Sequence, residues 1–226
     1  MVNKMDLIQS IIAAIHNKND IQKRDYLGAS SIGRPCYRSI WYDYNHPEFA
    51  SLSPNQKITF DIGKRLEGMI LDYIEEAKIK IERPNEENGF LRVVSKECNK
   101  LQGHMDGIIY INGKPGVLEI KTANNASFNK FKNSNLRHWN DGYFMQIMAY
   151  IGMSKLEYAY VVALNKDTSE IHSEYVLFDE DVFQEIITKA EVIVKANEAP
   201  PRINKSPLYF ICNMCKYKKV CHSNKD

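Results

Sequence analysis

The stretch from Gly103 to Thr122, GHMDGIIYINGKPGVLEIKT, places charged side chains among residues typical of buried strands. Apolar residues on both sides of a segment rich in Gly, Asn and Pro predict two strands joined by a tight turn. Asp106 lies on the first strand, and Glu119 and Lys121 lie on the second. Because a charge in apolar surroundings is costly unless it is paired, the hairpin predicts a site where these side chains meet.

The register of the hairpin decides whether the three side chains share a face. Glu119 and Lys121 point the same way because side chains alternate along a strand. A four-residue loop, 113–116, would set Asp106 opposite Ala123 and on that same face. A five-residue loop would move Asp106 to the other face unless a bulge restored the register. We predict the four-residue loop.

Two neighbouring carboxylates repel each other, and in apolar surroundings one of them stays protonated unless a cation lies between them. Oxygen ligands suit Mg²⁺ or Mn²⁺, which also bind phosphate. Lys121 beside such an ion could orient or deprotonate a water molecule and stabilise negative charge on phosphate. The simpler alternative is a surface hairpin with an Asp and a Glu–Lys pair facing solvent.

The composition favours one globular domain spanning residues 1–226. Apolar residues make up 44% of the chain, which excludes a disordered protein. The formal charge of +2 excludes a polycation, so any contact with nucleic acid must use a local patch. No run approaches the roughly 18 apolar residues of a membrane span. The amphipathic N-terminus differs from a signal peptide, and we expect a cytoplasmic protein, or one in the host cytoplasm if it is viral.

The order of the predicted elements indicates an α/β core with a mixed central sheet flanked by helices. Ser53 and Gln56 form a capping-box pattern ahead of a long helix, and Asp179 is the predicted cap of another. The predicted helices cover residues 4–16, 54–80, 141–153 and 180–197. The predicted strands cover residues 89–95, 103–111, 117–122, 156–164 and 172–178.

Four of the five cysteines have the spacing of a metal site. Cys212, Cys215 and Cys221 form C-x2-C-x5-C, and Cys36 is the natural fourth ligand. Four thiolates suit either Zn²⁺ or an iron–sulfur cluster. A reduced, unstructured basic tail is the simpler alternative. Cys98 is expected to be a free thiol, and residues 26–50 and 200–226 are expected to form a cysteine-stapled cap.

Asp106, the turn and Glu119-Ile120-Lys121 resemble the core motif of the PD-(D/E)XK nuclease superfamily, in its RecB-like branch. The GKRLE stretch ending at Glu67 resembles the segment that carries an early metal ligand, and Gln146 to Tyr150 is similar to the Q-x-x-x-Y motif. The cysteine arrangement is similar to that of iron–sulfur nucleases, which include CRISPR-adaptation exonucleases, the AddB-type nuclease domain and phage exonucleases.

This resemblance implies a restriction-endonuclease-like core and a Mg²⁺- or Mn²⁺-dependent exodeoxyribonuclease. It implies metal ligation by Glu67, Asp106, Glu119 and the Ile120 carbonyl, with Lys121 and Gln146 also catalytic. It favours a [4Fe–4S] cluster on Cys36, Cys212, Cys215 and Cys221, with Zn²⁺ as the alternative.

The implied substrate is DNA, as single strands or free ends, in recombination, repair or CRISPR adaptation, with a recombination or CRISPR-adaptation protein as a possible partner. The alternatives are a non-catalytic DNA-binding subunit and a zinc-stapled endonuclease.

Basic and aromatic residues interleave near both ends of the chain, around the cysteines, and are candidate DNA contacts because rings stack on bases and cations bind the backbone. The segment 124–143 is a candidate arch over the strand being cut, and a solvated loop explains it equally well. The candidate contacts are Arg34, Arg38, Trp41, His104, Lys130, Lys132, Trp139 and Tyr150.

Overall fold

The computed structural model describes residues 6–17 and 24–223. Its helices are α1 (Asp6–Asn17), α2 (Ala29–Ile32), α3 (Tyr37–Asn45), α4 (Pro54–Glu76), α5 (Asn125–Lys132), α6 (Leu136–Trp139), α7 (Asp141–Ser154), α8 (Glu180–Lys195), α9 (Phe210–Asn213) and α10 (Lys218–Ser223). Its strands are β1 (Leu27–Gly28), β2 (Ile81–Glu82), β3 (Arg92–Val94), β4 (Leu101–His104), β5 (Gly107–Ile111), β6 (Lys114–Ala123), β7 (Tyr158–Asn165) and β8 (Ile171–Leu177). None of the described helices combines the length and apolar character that crossing a bilayer requires.

The main sheet has the strand order β2-β5-β6-β7-β8, and a smaller sheet has the order β1-β4-β3. In the main sheet, β6 and β7 run parallel and the remaining neighbours are antiparallel. Apolar residues of α7 and α8 cover one face, and α4 packs on the other. The predicted class, a mixed sheet flanked by helices, is confirmed.

The capping predictions are also confirmed. At the start of α4, the Gln56 N–H donates to Ser53 Oγ at 3.3 Å, and the Ser53 N–H donates to Gln56 Oε1 at 2.8 Å. At the start of α8, Asp179 accepts from the Val182 N–H. The long helix is shorter than predicted and ends at Glu76, because Lys78 adopts a φ of 62°, outside the helical region.

Two strand predictions need correction. The predicted strand 103–111 is broken at Met105 and Asp106, so β4 and β5 belong to different sheets. This break places Asp106 at the crossing between the sheets. The predicted strand 89–95 shortens to β3, because residues 89–91 form a 3-10 turn that begins at Gly89 with a φ of 60°.

The turn of the central hairpin also differs from the prediction. It has two residues, Asn112 and Gly113, with φ values of 53° and 79°. Such Asn-Gly pairs fit the left-handed positions of a type I′ turn, whose twist matches that of the strands. The four-residue loop, and with it the pairing of Asp106 with Ala123, is therefore wrong. Continuing the ladder beyond the Gly107–Leu118 pair places Asp106 opposite Glu119, on the predicted face because the register differs by an even number of residues.

Candidate active site

Lys121 lies near the carboxyl end of β6 and points towards α7. Its Nζ donates to Glu119 Oε1 at 2.5 Å and to Gln146 Oε1 at 3.2 Å. The Lys121 side chain is 15% exposed and that of Glu119 only 2%. Burial lowers the pKa of Lys121, but the neighbouring Glu119 and Asp106 carboxyl groups outweigh burial and hold this pKa above its usual value. The ammonium group is therefore charged at neutral pH and fixed in position.

Helix α7 holds the lysine in place through a chain of hydrogen bonds. Gln146 Nε2 donates to Glu119 Oε1 and to the Tyr150 hydroxyl, both at 3.0 Å. Gln146 and Tyr150 are one helical turn apart, so the shared face expected from their spacing is present. Both are buried. Because the amide of Gln146 contacts both members of the Glu119–Lys121 pair, it fixes their relative orientation.

Asp106 and Glu67 approach this group from two other elements. Asp106 Oδ2 accepts from the Ile120 N–H at 2.8 Å, which ties the break between β4 and β5 to the middle of β6. Burial, then the charges of Glu119 and Glu67, raise the pKa of Asp106 well above its usual value. Burial, then Glu119, raise the pKa of Glu67 on α4. The three carboxyl groups therefore repel each other, and the pocket disfavours their full ionisation.

Carboxyl groups are the ligands that a divalent cation prefers, but these three are not already arranged around one point. Among residues 6–17 and 24–223, no three Asp, Glu, His or Cys side chains are placed to hold a metal ion. Lys121 already binds one oxygen of Glu119, and the Ile120 N–H already binds one oxygen of Asp106. The second oxygen, Glu119 Oε2, is buried and has no hydrogen-bond partner. A cation bound there would supply that partner and relieve the repulsion.

The four cysteines predicted as ligands border one small cavity between α3 and the C-terminal segment: Cys36, Cys212, Cys215 and Cys221. All are free thiols. Burial, followed by the charges of Cys36 and Cys221, raises the pKa of Cys212. Two buried nitrogen atoms without partners, Arg38 Nε and His222 Nε2, belong to residues that line the same cavity. Cys98 lies outside it and is buried.

Asp43, which the sequence analysis missed, joins the two segments that carry the cysteines. Its Oδ1 binds Lys216 Nζ at 2.7 Å and the Tyr217 hydroxyl at 2.6 Å. Its Oδ2 binds Arg34 Nη1 at 2.6 Å and the Ser31 hydroxyl at 2.8 Å. A signal was available in the sequence, because Asp43 is a lone acid within the aromatic helix YRSIWYDYN.

Most of the predicted DNA contacts have partners within the protein. Trp41 and Trp139 are only 7% and 6% exposed. Trp139 stacks on Phe131, with ring centroids 4.4 Å apart. The structure therefore assigns both tryptophans to the core, which corrects their prediction as stacking platforms for bases. Segment 124–143 is likewise no open arch, because it folds into α5 and α6 and buries Phe128, Phe131 and Leu136.

The predicted basic contacts fall into two groups. Lys130 donates to the Trp139 carbonyl and Lys132 pairs with Glu170, so both stabilise the α5–α6 region. Arg34 pairs with Asp43 within the N-terminal segment, and Arg38 Nη1 donates to the Pro200 carbonyl, which ties this segment to the C-terminal one.

His104 is exposed and lies at the mouth of a cavity of about 180 Å³ that reaches Tyr150. Arg24, Tyr26 and Ser30, which the sequence analysis missed, also line this cavity. The same three residues line an adjoining groove of about 550 Å³ that continues to Phe60, Arg34 and Lys216. The cavity ends at Tyr150, whose hydroxyl is hydrogen-bonded to Gln146 of the carboxyl–lysine site.

Comparison with solved structures defines the class of fold. The structure of SSO0001 aligns with a TM-score of 0.61 at 18% identity, covering 97% of this chain and 98% of that one. The alkaline exonuclease LHK-Exo from Laribacter hongkongensis aligns at 0.54 and 13% identity, covering 82% and 90%. Its complex with dAMP aligns at 0.51 and 15% identity, with the same coverage. The fold is thus that of a nuclease-like α/β protein.

Sequence comparison is more specific. The model of the YqaJ-like viral recombinase domain matches residues 23–157, more than half of the chain. The protein belongs to this family. A search of curated proteins gives no significant match. Family and fold are both consistent with the PD-(D/E)XK superfamily predicted from the motifs.

Proposed function

We propose that this protein is a divalent-metal-dependent exodeoxyribonuclease that acts in recombination. The observation that carries the proposal is the buried, hydrogen-bonded group of Glu119, Lys121 and Gln146, with Asp106 opposite and one oxygen of Glu119 without a partner. The recombinase-domain family and the fold of an alkaline exonuclease support it.

The chemistry assigned to each residue follows from its surroundings. Glu67, Asp106, Glu119 and the Ile120 carbonyl would hold Mg²⁺ or Mn²⁺, which supplies a Lewis acid for phosphate and an acidified water. Lys121 is charged, so it would stabilise the negative charge that develops on the phosphodiester. Gln146 would keep Lys121 directed at the phosphate.

DNA with a single-stranded portion or a free end is the proposed substrate. The groove from Lys216 and Phe60 to His104 carries cations and exposed rings, the combination that grips single strands. The positive charge of this groove is local, which agrees with the modest net charge of +2 for the whole chain. A strand lying in this groove would extend to Tyr150, which is hydrogen-bonded to Gln146 of the carboxyl–lysine site.

We also propose that the four cysteines hold an iron–sulfur cluster of the [4Fe–4S] type and staple the cap formed by residues 26–50 and 200–226. Zinc would draw four sulfurs to about 2.3 Å from one point. No three ligands in the described parts of the chain are gathered in that way, although the four cysteines share one cavity. The similarity of the cysteine spacing to that of iron–sulfur nucleases is what favours the cluster over zinc.

A nuclease assay tests the proposal. Linear DNA, labelled at one end and either single- or double-stranded, is compared with a closed circle over a titration of Mg²⁺ and Mn²⁺. We expect cleavage of linear DNA that depends on the metal, with the circle left intact. Cutting of the circle would instead indicate an endonuclease, and binding without any cutting a non-catalytic DNA-binding subunit; either result would contradict the proposal.

A further inference from the structure

The cysteine cavity contains two polar side chains whose hydrogen bonding is incomplete. In the described residues, three buried side-chain nitrogen or oxygen atoms have no partner, and two of them, Arg38 Nε and His222 Nε2, belong to residues lining this cavity. The third is Glu119 Oε2 in the carboxyl–lysine site. Buried polar atoms are rarely left unpaired in native proteins, so this coincidence with the four thiols indicates a missing hydrogen-bond partner.

The chemistry of Arg38 indicates what kind of group its missing partner is. A guanidinium group is permanently charged and can only donate hydrogen bonds. Its Nη1 is occupied by the Pro200 carbonyl at 3.1 Å, and its plane lies over the ring of Tyr42 at 5.9 Å. These contacts hold Nε in the cavity wall. A negatively charged acceptor between the cysteines would satisfy it.

His222 is placed for a similar contact. It follows Cys221 directly on α10, and the Cys221 carbonyl accepts from Arg202 Nε at 2.8 Å, which fixes this part of the helix. Four cysteines already complete the protein ligands of a [4Fe–4S] cluster. A fifth ligand is then not needed, and the role left to the imidazole is that of a donor.

We propose that Arg38 and His222 donate hydrogen bonds to the sulfur atoms of the cluster and set its reduction potential. This inference rests on the cluster of the proposed function. Donors and a positive charge next to the sulfurs favour the reduced cluster, which carries one more negative charge. Removing either donor should therefore move the potential to more negative values.

The test uses the full-length protein purified without oxygen. Arg38→Met keeps most of the aliphatic stem, and His222→Phe keeps a ring, but each removes the donor. Lys219→Met is the control, because Lys219 is exposed on the same helix and does not line the cavity. Iron and sulfide content, the midpoint potential from visible absorbance, and the Raman Fe–S bands in H₂O and D₂O are measured for each.

We expect iron content like the wild type in all three variants, a more negative potential and a smaller D₂O shift for the two cavity variants, and no change for Lys219→Met. Unchanged potentials with iron retained would overturn this inference and leave the cluster standing. Wild-type protein that holds zinc, or no metal, would overturn both this inference and the proposed iron–sulfur cluster.

If Arg38→Met loses its iron, the other variants decide the question: His222→Phe should show the full shift to a more negative potential, and Arg38→Lys, which keeps the charge but lacks Nε, a smaller shift in the same direction. No shift in either variant would overturn the inference. Nuclease activity is measured in a separate assay, so a failure of the proposed nuclease function can be distinguished from a failure of this inference.

Discussion

Replacing Asp43 by Asn should destabilise the junction between the N-terminal segment and the cysteine-bearing tail. The carboxylate accepts from four side chains at 2.6–2.8 Å and is 13% exposed. Two of the donors are cations, Arg34 and Lys216. An asparagine keeps the size of the side chain but removes its charge and half of its acceptor capacity.

The size of the effect follows from the exposure of the partners. Breaking a fully buried ion pair costs about 3–5 kcal/mol, because a charge is left unpaired. The side chains of Arg34 and Lys216 are 37% and 30% exposed, so water can solvate part of each charge once the carboxylate is removed. We therefore expect a loss of about 2–3 kcal/mol, which for a domain of this size lowers Tm by about 4–12 °C.

The effect should depend on pH in a defined direction. Burial alone would raise the pKa of Asp43, but Arg34 and Lys216 outweigh it and hold the pKa below its ordinary value of 3.8. The stabilisation is then complete above about pH 4 and disappears as the pH falls through the lower folded-state pKa. Thermal unfolding followed by circular dichroism should thus separate wild type and variant at pH 7, and the difference should shrink as the pH falls below about 4.

The control for this experiment is a surface ion pair. Asp72 binds Arg83 at 2.6 Å, but its side chain is 58% exposed. Asp72→Asn should change the free energy of unfolding by about 1 kcal/mol or less at pH 7. Equal effects of the two substitutions, or an Asp43→Asn effect that does not shrink as the pH falls below about 4, would refute the reasoning.

Three further predictions concern the site and the packing around it. Burial and neighbouring carboxyl groups raise the pKa of Asp106. The folded protein therefore loses stability as the pH rises above the unfolded-state pKa of about 3.8. Asp106→Asn should raise Tm at pH 8 in EDTA and leave it unchanged at pH 3. Tyr150→Phe removes the acceptor of a buried amide hydrogen bond, so we expect a loss of about 1 kcal/mol in chemical denaturation and about 10-fold slower cleavage. A Cβ on Gly33 would lie 2.5 Å from the backbone of Gly142, so Gly33→Ala should lower Tm, whereas Gly68→Ala on α4, with nothing within 4 Å, should raise it slightly.

Local signals predicted much of the fold. The Ser53 capping box, the Asp179 cap and the apolar run of β6 each depend on neighbours in sequence, so the prediction and the structure agree. The turn at Asn112-Gly113 was equally local. There the Asn-Gly pair is the stronger turn signal, and the prediction gave weight to the following Lys-Pro instead.

Long-range packing explains what the sequence could not supply. Trp41 and Trp139 lie in basic, aromatic stretches typical of DNA contacts, yet each ring nitrogen binds a partner within the protein, the Ala196 carbonyl or Ser127 Oγ. Nothing local distinguishes a tryptophan that contacts DNA from one that packs beneath a helix 155 residues away. The lone acid in an aromatic helix marked Asp43 as unusual, but its partners could not be read from the sequence, since two of them lie on the C-terminal tail.

The most direct test of the central claim, that Lys121 and the surrounding carboxyl groups cleave DNA, compares Lys121→Ala with Lys130→Ala on end-labelled linear DNA. Lys130 is the matched control because it is a partly exposed lysine that binds a carbonyl outside the site. Losing charge stabilisation in the transition state should slow cleavage by Lys121→Ala at least about 100-fold, while DNA binding in Ca²⁺ and the cleavage rate of Lys130→Ala stay near wild type. Undiminished cleavage by Lys121→Ala would contradict the claim.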